Sequence, residues 1–136
     1  MNRVLVDTNI VIDLLAKRRE FYDEAAELFS LADKKETRLA ISGLTIANTH
    51  YILSRHTSQI EAREILRKFK VLVEVLSLDD KIIELALSDS SFTDFEDGLQ
   101  YYSALENGIG TIISRNKKDF KKSEIPVMTA REFLSK

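Results

Sequence analysis

The sequence predicts an α/β fold, a three-layer α/β/α sandwich around a central, mostly parallel five-stranded sheet. Three features support this prediction: short runs rich in Val, Ile and Leu, segments of helical periodicity between them, and helix start signals at the junctions. Short continuous apolar runs suit strands that are covered on both faces, as in parallel sheets. The chain has 136 residues and no linker, repeat or low-complexity stretch, so we expect a single domain spanning residues 1–136.

The apolar runs predict the strands, which are residues 3–6, 39–42, 72–78, 110–114 and 126–128. A helix should follow residue 7 directly. Apolar residues also recur with helical spacing in residues 22–32, 60–69, 82–86 and 99–105. The predicted order is βααβαβαβα, an alternation that favours parallel strands with helices on both faces of the sheet.

Residues that commonly cap helices stand at the predicted boundaries. Gly108 follows a predicted helix, where a glycine often ends one. The start signals are Thr57 or Ser58, Asp79 or Asp80, and Thr129 followed by Glu132 in capping-box spacing. These caps agree with the helices that the periodicity indicates.

The composition excludes several classes of function. No cysteine is present, which excludes disulfides, thiolate zinc sites and cysteine nucleophiles. No apolar stretch approaches the roughly 18 residues of a membrane span, and residues 1–15 lack a secretory signal, so we expect a cytoplasmic protein outside the membrane. The formal net charge of -2 argues against general attraction to nucleic acid, so such contacts must come from local patches.

Acidic residues stand at the predicted ends of strands and starts of helices. Asp7 directly follows the first strand, which places its carboxylate at the carboxyl edge of the sheet, where open α/β folds bind ligands. If three carboxylates meet within about 5 Å, each like-charged pair costs roughly 3 kcal/mol at an effective dielectric near 20, so a divalent cation is needed to neutralise them. Oxygen ligands select Mg²⁺ or Mn²⁺. The other candidates are Asp94, Glu96 and Asp97 at a helix start, and Asn116 and Asp119 after the fourth strand.

Several segments, taken in order, resemble those of one protein family. They are Val-Asp-Thr-Asn at residues 6–9, residues 94–101, residues 112–120, and the final strand and helix at residues 125–134. Together they resemble the PIN-domain nucleases, which include VapC-type toxins, and the resemblance covers the whole chain. It implies a parallel sheet between helices, an acidic metal pocket and hydrolysis of RNA phosphodiesters.

The resemblance assigns roles to individual residues. Asp7, Asp97 and Asp119 correspond to the acids that hold Mg²⁺ or Mn²⁺ and carry the catalysis. Asn48 stands where the family usually has a glutamate. An amide brings no charge and cannot act as a base, so we expect metal affinity to fall. Supporting roles fall on Thr8, Asn9, Asn48, Asp94, Ser114 and Asn116, with Thr8 and Ser114 bonding to carboxylates or phosphate and Asn9 capping the first helix.

Basic residues supply the candidate contacts to RNA. These are Arg115, Lys117 and Lys118, with Lys121 and Lys122 close behind them in the chain. Asp13 follows Asp7 by nearly two helical turns, and we expect it to face solvent.

Two classes of function follow. The leading one is an Mg- or Mn-dependent endoribonuclease, the toxin of a toxin–antitoxin pair, with RNA as substrate and an antitoxin protein as partner. Members of the family often form homodimers, and no periodicity here marks such an interface. The alternative is a PIN-like RNA-binding or protein-interaction module whose catalysis is lost through Asn48. A doubly wound phosphatase is disfavoured, because Asn9 replaces the second aspartate of an aspartyl-nucleophile motif.

Overall fold

The computed structural model describes residues 2–136, which form a five-stranded sheet whose neighbouring strands are all parallel. The strands are β1 (Arg3–Val6), β2 (Arg38–Ser42), β3 (Val73–Leu76), β4 (Ile112–Ile113) and β5 (Val127–Met128). Their order across the sheet is β3-β2-β1-β4-β5. The predicted α/β class and parallel sheet are confirmed.

Helices fill most of the connections between strands. They are α1 (Thr8–Leu15), α2 (Tyr22–Asp33), α3 (Gly43–His56), α4 (Gln59–Phe69), α5 (Asp80–Ser88), α6 (Phe95–Glu106) and α7 (Ala130–Leu134). Short 3-10 turns, Lys70–Leu72 and Lys117–Phe120, precede β3 and follow β4. No helix within residues 2–136 is both long enough and apolar enough to cross a membrane.

The first strand lies at the centre of the sheet. Val4 of β1 pairs with Leu39 of β2, and Val6 of β1 pairs with Ile113 of β4. Strands β2 and β3 therefore lie on one side of β1, and β4 and β5 lie on the other, so the strand order reverses at the carboxyl end of β1. In open α/β sheets the crevice at such a reversal binds ligands. Asp7 stands at this crevice.

Alternating side chains of β1 divide the core into two layers. Val4 and Val6 pack on one face against α1, α2, α3, α4 and α7, whereas Leu5 packs on the other face with Tyr101 and Ala104 of α6. The three β1 side chains are at most 1% exposed. Covering the sheet on both faces produces the predicted three layers.

The order of helices differs from the predicted alternation. Two helices separate β2 from β3, where only one was predicted, and only a 3-10 turn separates β4 from β5. Two helices also separate β3 from β4, as the periodic segments 82–86 and 99–105 predict, although the alternation βααβαβαβα has only one there. An apolar pattern does not reveal α3, because the residues that this helix buries are Thr45, Thr49 and Leu53. The predicted strand at residues 72–78 is shorter than expected, since the chain is still in a 3-10 turn at Leu72.

Side-chain caps begin several helices where the sequence predicts them. Ser58 caps α4 and Asp79 caps α5, each accepting a backbone N–H three residues further along. Thr129 and Glu132 form a reciprocal capping box at α7. Gly108 follows α6 with a φ of 67°, a conformation that glycine adopts without steric cost.

Candidate active site

Asp7 is held by hydrogen bonds at the end of the central strand. Its backbone is extended and its Oδ1 accepts from the backbone N–H of Thr8 at 2.9 Å, so Asp7 itself caps α1. Its Oδ2 accepts from Ser114 Oγ at 2.8 Å. The side chain is only 6% exposed, and this burial raises the pKa of Asp7 although the two hydrogen bonds act in the opposite direction. Asp7 is therefore a fixed acid with little freedom to turn.

A buried glutamine of α6 completes the polar network under the site. Gln100 Nε2 donates to Thr8 Oγ1 at 3.0 Å and to Thr45 Oγ1 at 3.1 Å, and lies 3.4 Å from Asp7 Oδ1. The hydroxyls of Thr8 and Thr45 are themselves 2.9 Å apart. Gln100 and Thr45 were not among the predicted site residues. The available signal was a glutamine on the apolar face of a helix, three residues after Asp97.

The three predicted catalytic aspartates line one open cleft of about 390 Å³ at the carboxyl edge of the sheet. They come from different parts of the chain: the end of β1, the first turn of α6 and the turn after β4. Asp97 is half-buried and Asp119 is exposed. The cleft is lined by Asp7, Thr8, Asn9, Ile12, Arg18, Asn48, Tyr51, Ile52, Asp94, Glu96, Asp97, Gln100, Asn116 and Asp119. Of the predicted supporting residues only Ser114 lies behind the cleft, fully buried against Asp7.

The acids of the cleft influence one another electrostatically. Burial, followed by neighbouring negative charge, raises the pKa of Asp97 to about 7. The charges responsible are, in decreasing order of effect, those of Asp94, Asp7, Asp119 and Glu96. The charge of Asp119 also contributes to the raised pKa of Asp7. A cation in this cleft would reduce the repulsion between the carboxylates, which is otherwise reduced by protonation of Asp97.

The cleft offers the carboxylate oxygens that a divalent cation such as Mg²⁺ takes as ligands. Within residues 2–136, no group of three or more Asp, Glu, His or Cys side chains is arranged to hold a metal ion as it stands. Mg²⁺ commonly takes one or two direct carboxylates and keeps several waters, so it does not require three pre-arranged acids. Asp7 is nearly buried and held by hydrogen bonds, whereas Asp119 is exposed. The residues therefore fit such an ion in charge and in donor chemistry.

Asn48 forms a hydrogen bond with an acid of the cleft. Its Nδ2 donates to Glu96 Oε1 at 2.8 Å, a bond between α3 and α6. The backbone N–H of Glu96 in turn donates to Asp94 Oδ1 at 2.8 Å, so Asp94 caps α6. Glu96, one of the candidate acids at this helix start, also lines the cleft.

The predicted capping role of Asn9 is wrong. Helix α1 begins at Thr8 because Asp7 provides both the extended backbone and the side-chain acceptor of an N-cap. Asn9 lies one residue inside the helix, where its Oδ1 is 3.5 Å from Arg18 Nη1. It lines the cleft from that position.

The expectation that Asp13 faces solvent is also wrong. Its side chain is buried, with 1% exposed, and accepts hydrogen bonds from Arg115 Nε at 2.9 Å and Nη2 at 3.2 Å. Arg18 Nη1 lies 3.5 Å from the same carboxylate. The guanidinium of Arg115 also sits 3.9 Å from the centre of the Phe21 ring. Asp13 lies on α1, a helix without an exposed residue. The positive charges of Arg115 and Arg18 compensate the negative charge of its buried carboxylate.

The predicted RNA-binding residues Arg115, Lys117 and Lys118 differ in their contacts. Arg115 is engaged with Asp13, and Lys117 Nζ donates to Glu132 at 3.0 Å. Lys118 instead lines a neighbouring groove of about 760 Å³ together with Lys121 and Lys122. This groove shares Asp94, Asp97 and Asp119 with the acidic cleft. The two depressions therefore adjoin each other, one acidic and the other flanked by lysines.

Fold and cleft define a class of protein, a parallel α/β domain covered on both faces, with an acidic site at the point where its strand order reverses. The sequence profile of the PIN domain family matches residues 3–118. Ribonuclease VapC1 of Aquifex aeolicus (strain VF5) is 30% identical over 141 residues, which cover 98% of this chain and 94% of that protein. The chain belongs to the PIN-domain family and, within it, to the VapC-like proteins.

Solved structures share the same architecture. A chain of a toxin-antitoxin complex from Klebsiella pneumoniae is 25% identical with a TM-score of 0.69, covering 93% of this chain and 97% of that one. A chain of the DNA-bound VapBC from Salmonella typhimurium has a TM-score of 0.72 at 18% identity, covering 96% of this chain and 99% of that one. At such low identity the second likeness concerns the fold alone.

Proposed function

We propose that this protein is an endoribonuclease that hydrolyses RNA phosphodiester bonds with a divalent cation, Mg²⁺ or Mn²⁺. The observation that carries the proposal is the meeting of Asp7, Asp97 and Asp119 in one cleft, although they lie far apart in the sequence. The relative from Aquifex aeolicus is named a ribonuclease and aligns over 98% of the chain, which supports the same activity here.

Asp7, Asp97 and Asp119 are the residues that would hold the ion. Asp7 is the pre-organised member, because Ser114 and the backbone of Thr8 fix its two oxygens. A bound ion of this kind lowers the pKa of a water, orients the scissile phosphate and offsets charge on the leaving oxygen. The side chains of Asp97 and Asp119 face the same cleft, where an acceptor oxygen can orient the attacking water.

The lysine-flanked groove is our proposed path for the RNA backbone. Lys118, Lys121 and Lys122 line it beside Asp97 and Asp119, so phosphates held by the ammonium groups would lie next to the acids. Phe95 also lines the groove and is 42% exposed, which suits stacking with an unpaired base. Single-stranded RNA is therefore the substrate class that we propose.

An antitoxin is the proposed protein partner. The likeness to a chain of the Klebsiella pneumoniae toxin-antitoxin complex, at 25% identity and 97% coverage of that chain, supports this assignment. Co-expression with the protein encoded next to it, followed by co-purification, tests the partnership. Homodimer formation is a separate proposal, tested by the mass of the purified chain in solution.

The second candidate function is a PIN-like binding module without catalysis, and Asn48 is the residue that favours it. Cleavage of a fluorescent single-stranded RNA panel by the parent and by Asn48→Glu separates the two candidates. Metal-dependent cutting by the parent supports the enzyme. An inactive parent with an active Asn48→Glu variant would support the module, because the missing carboxylate would then be the reason for inactivity.

A further inference from the structure

We propose that Glu96 supplies the acidic cleft with the carboxylate that position 48 lacks, and that Asn48 is the positioning residue that holds it there. This inference rests on the proposed function, since it concerns cation binding by the same cleft. The carboxylate that α3 does not offer at position 48 would then come from the neighbouring helix α6.

Asn48 and Glu96 are in direct contact. Asn48 of α3 and Glu96 of α6 are 48 residues apart in the sequence, yet Asn48 Nδ2 donates to Glu96 Oε1 at 2.8 Å. Both residues line the cleft that contains Asp7, Asp97 and Asp119. A glutamate at position 48 has no proton to donate at neutral pH, so it would repel Glu96 rather than hold it. The amide is the side chain that suits this neighbour.

Glu96 is held both through its backbone and through its side chain. The residue lies in the first turn of α6, where its backbone N–H is held by Asp94 Oδ1 at 2.8 Å. The positive end of the helix dipole also favours an acid at this place. With Oε1 engaged by Asn48, no hydrogen bond to Oε2 occurs among residues 2–136. One carboxylate oxygen is therefore left to accept from a hydrated cation.

Glu96 also contributes negative charge to the cleft. It is adjacent to Asp97 in the chain, and both residues line the cleft that also contains Asp7 and Asp119. The Glu96 carboxylate adds to the cleft the one negative charge that Asn48 does not bring. Electrostatic attraction of a divalent cation is thereby retained without an acid at position 48.

The test measures Mn²⁺ binding directly, by calorimetric titration of the metal-free protein. Glu96→Gln keeps an acceptor for Asn48 but removes the charge, and Asn48→Ala removes the support but keeps the charge. We expect each variant to weaken Mn²⁺ binding by about tenfold or more, the range found when partners of metal ligands are removed. Glu64→Gln is the matched control, because Glu64 is exposed on α4 and does not line the cleft.

The exchange variant Asn48→Glu/Glu96→Gln gives the sharpest readout. It reverses the direction of the hydrogen bond, since Gln would donate and Glu accept, and it should bind Mn²⁺ more tightly than Glu96→Gln alone. Glu96→Gln binding as tightly as the parent, while Asp7→Asn does not, would overturn this inference but leave the proposed function intact. A parent that binds no Mn²⁺ would overturn both.

Discussion

Ser114 Oγ lies 2.8 Å from Asp7 Oδ2, and this hydrogen bond joins the carboxyl ends of the adjacent strands β4 and β1. Neither side chain has room to move, because Ser114 is fully buried and Asp7 nearly so. Asn116 also contributes, since its backbone N–H donates to Ser114 Oγ at 3.0 Å. The central acid of the cleft is thus fixed from the strand next to its own.

Replacing Ser114 with alanine should destabilise the protein. The substitution removes a hydrogen bond to a buried carboxylate, which costs about 1.5–3 kcal/mol in the free energy of unfolding. Urea denaturation of the metal-free protein measures this change. Ser88→Ala is a suitable control, because Ser88 is exposed on α5 and contacts Glu84 only through an exposed bond at 3.3 Å. Equal stability of the two variants would contradict the role of Ser114.

Replacing Gln100 with leucine should disturb the buried polar network that supports the acidic cleft. The change removes the donor shared by Thr8 and Thr45 and leaves buried oxygens with fewer partners, at a cost of about 1–3 kcal/mol. We also expect weaker Mn²⁺ binding, because Gln100 helps to orient Asp7. Thermal unfolding with and without Mn²⁺ separates the two effects. An unchanged metal-induced shift in melting temperature would argue that Gln100 is purely structural.

The stability of the metal-free protein should fall as the pH rises from about 4 to about 7. Asp97 has a pKa of about 7 when folded, raised above its ordinary value, so the folded state binds more protons than the unfolded state across this window. Its stabilising protonation is complete below the unfolded pKa and is lost as the pH passes the folded one. Asp97→Asn should reduce the slope, measured by urea denaturation in EDTA at several pH values. A slope identical to that of the parent would contradict the raised pKa.

Removing Lys118, Lys121 and Lys122 together by alanine substitution should weaken RNA binding at every sequence tested. If each contacts a phosphate of a single strand, the slope of log affinity against log salt concentration should fall by roughly 2. Fluorescence anisotropy measures the binding. All variants carry Asp7→Asn, which prevents cleavage during the titration. Lys117→Ala serves as the control, since Lys117 pairs with Glu132. A salt slope that does not change would place the RNA elsewhere.

Much of the architecture follows from local sequence. The strand at Arg3–Val6 has the bounds that its apolar run predicts, and Asp7 must stand at its carboxyl end because a helix follows directly. The caps of α4, α5 and α7 are also local, since each depends on residues three positions apart. Such features require no knowledge of which segments meet in space.

The remaining parts of the site depend on contacts that a linear pattern does not contain. Gln100 has the position of an apolar residue on α6, and its role appears only when Thr8 and Thr45 meet it from other helices. Asp13 looks like an exposed residue until Arg115, 102 positions away, covers it. Helical periodicity shows which face of a helix is apolar. The order of the strands in the sheet decides which other element packs against that face.

The most direct test of the central claim is cleavage of single-stranded RNA by the parent, Asp7→Asn and Asp23→Asn, each with Mn²⁺ and with EDTA. Asp23 is exposed on α2 and does not line the cleft, so its variant controls for the loss of one carboxylate. We predict cutting by the parent and Asp23→Asn with Mn²⁺, none in EDTA, and none by Asp7→Asn. Cutting that persists in EDTA or in Asp7→Asn would contradict a metal-dependent nuclease built on this cleft.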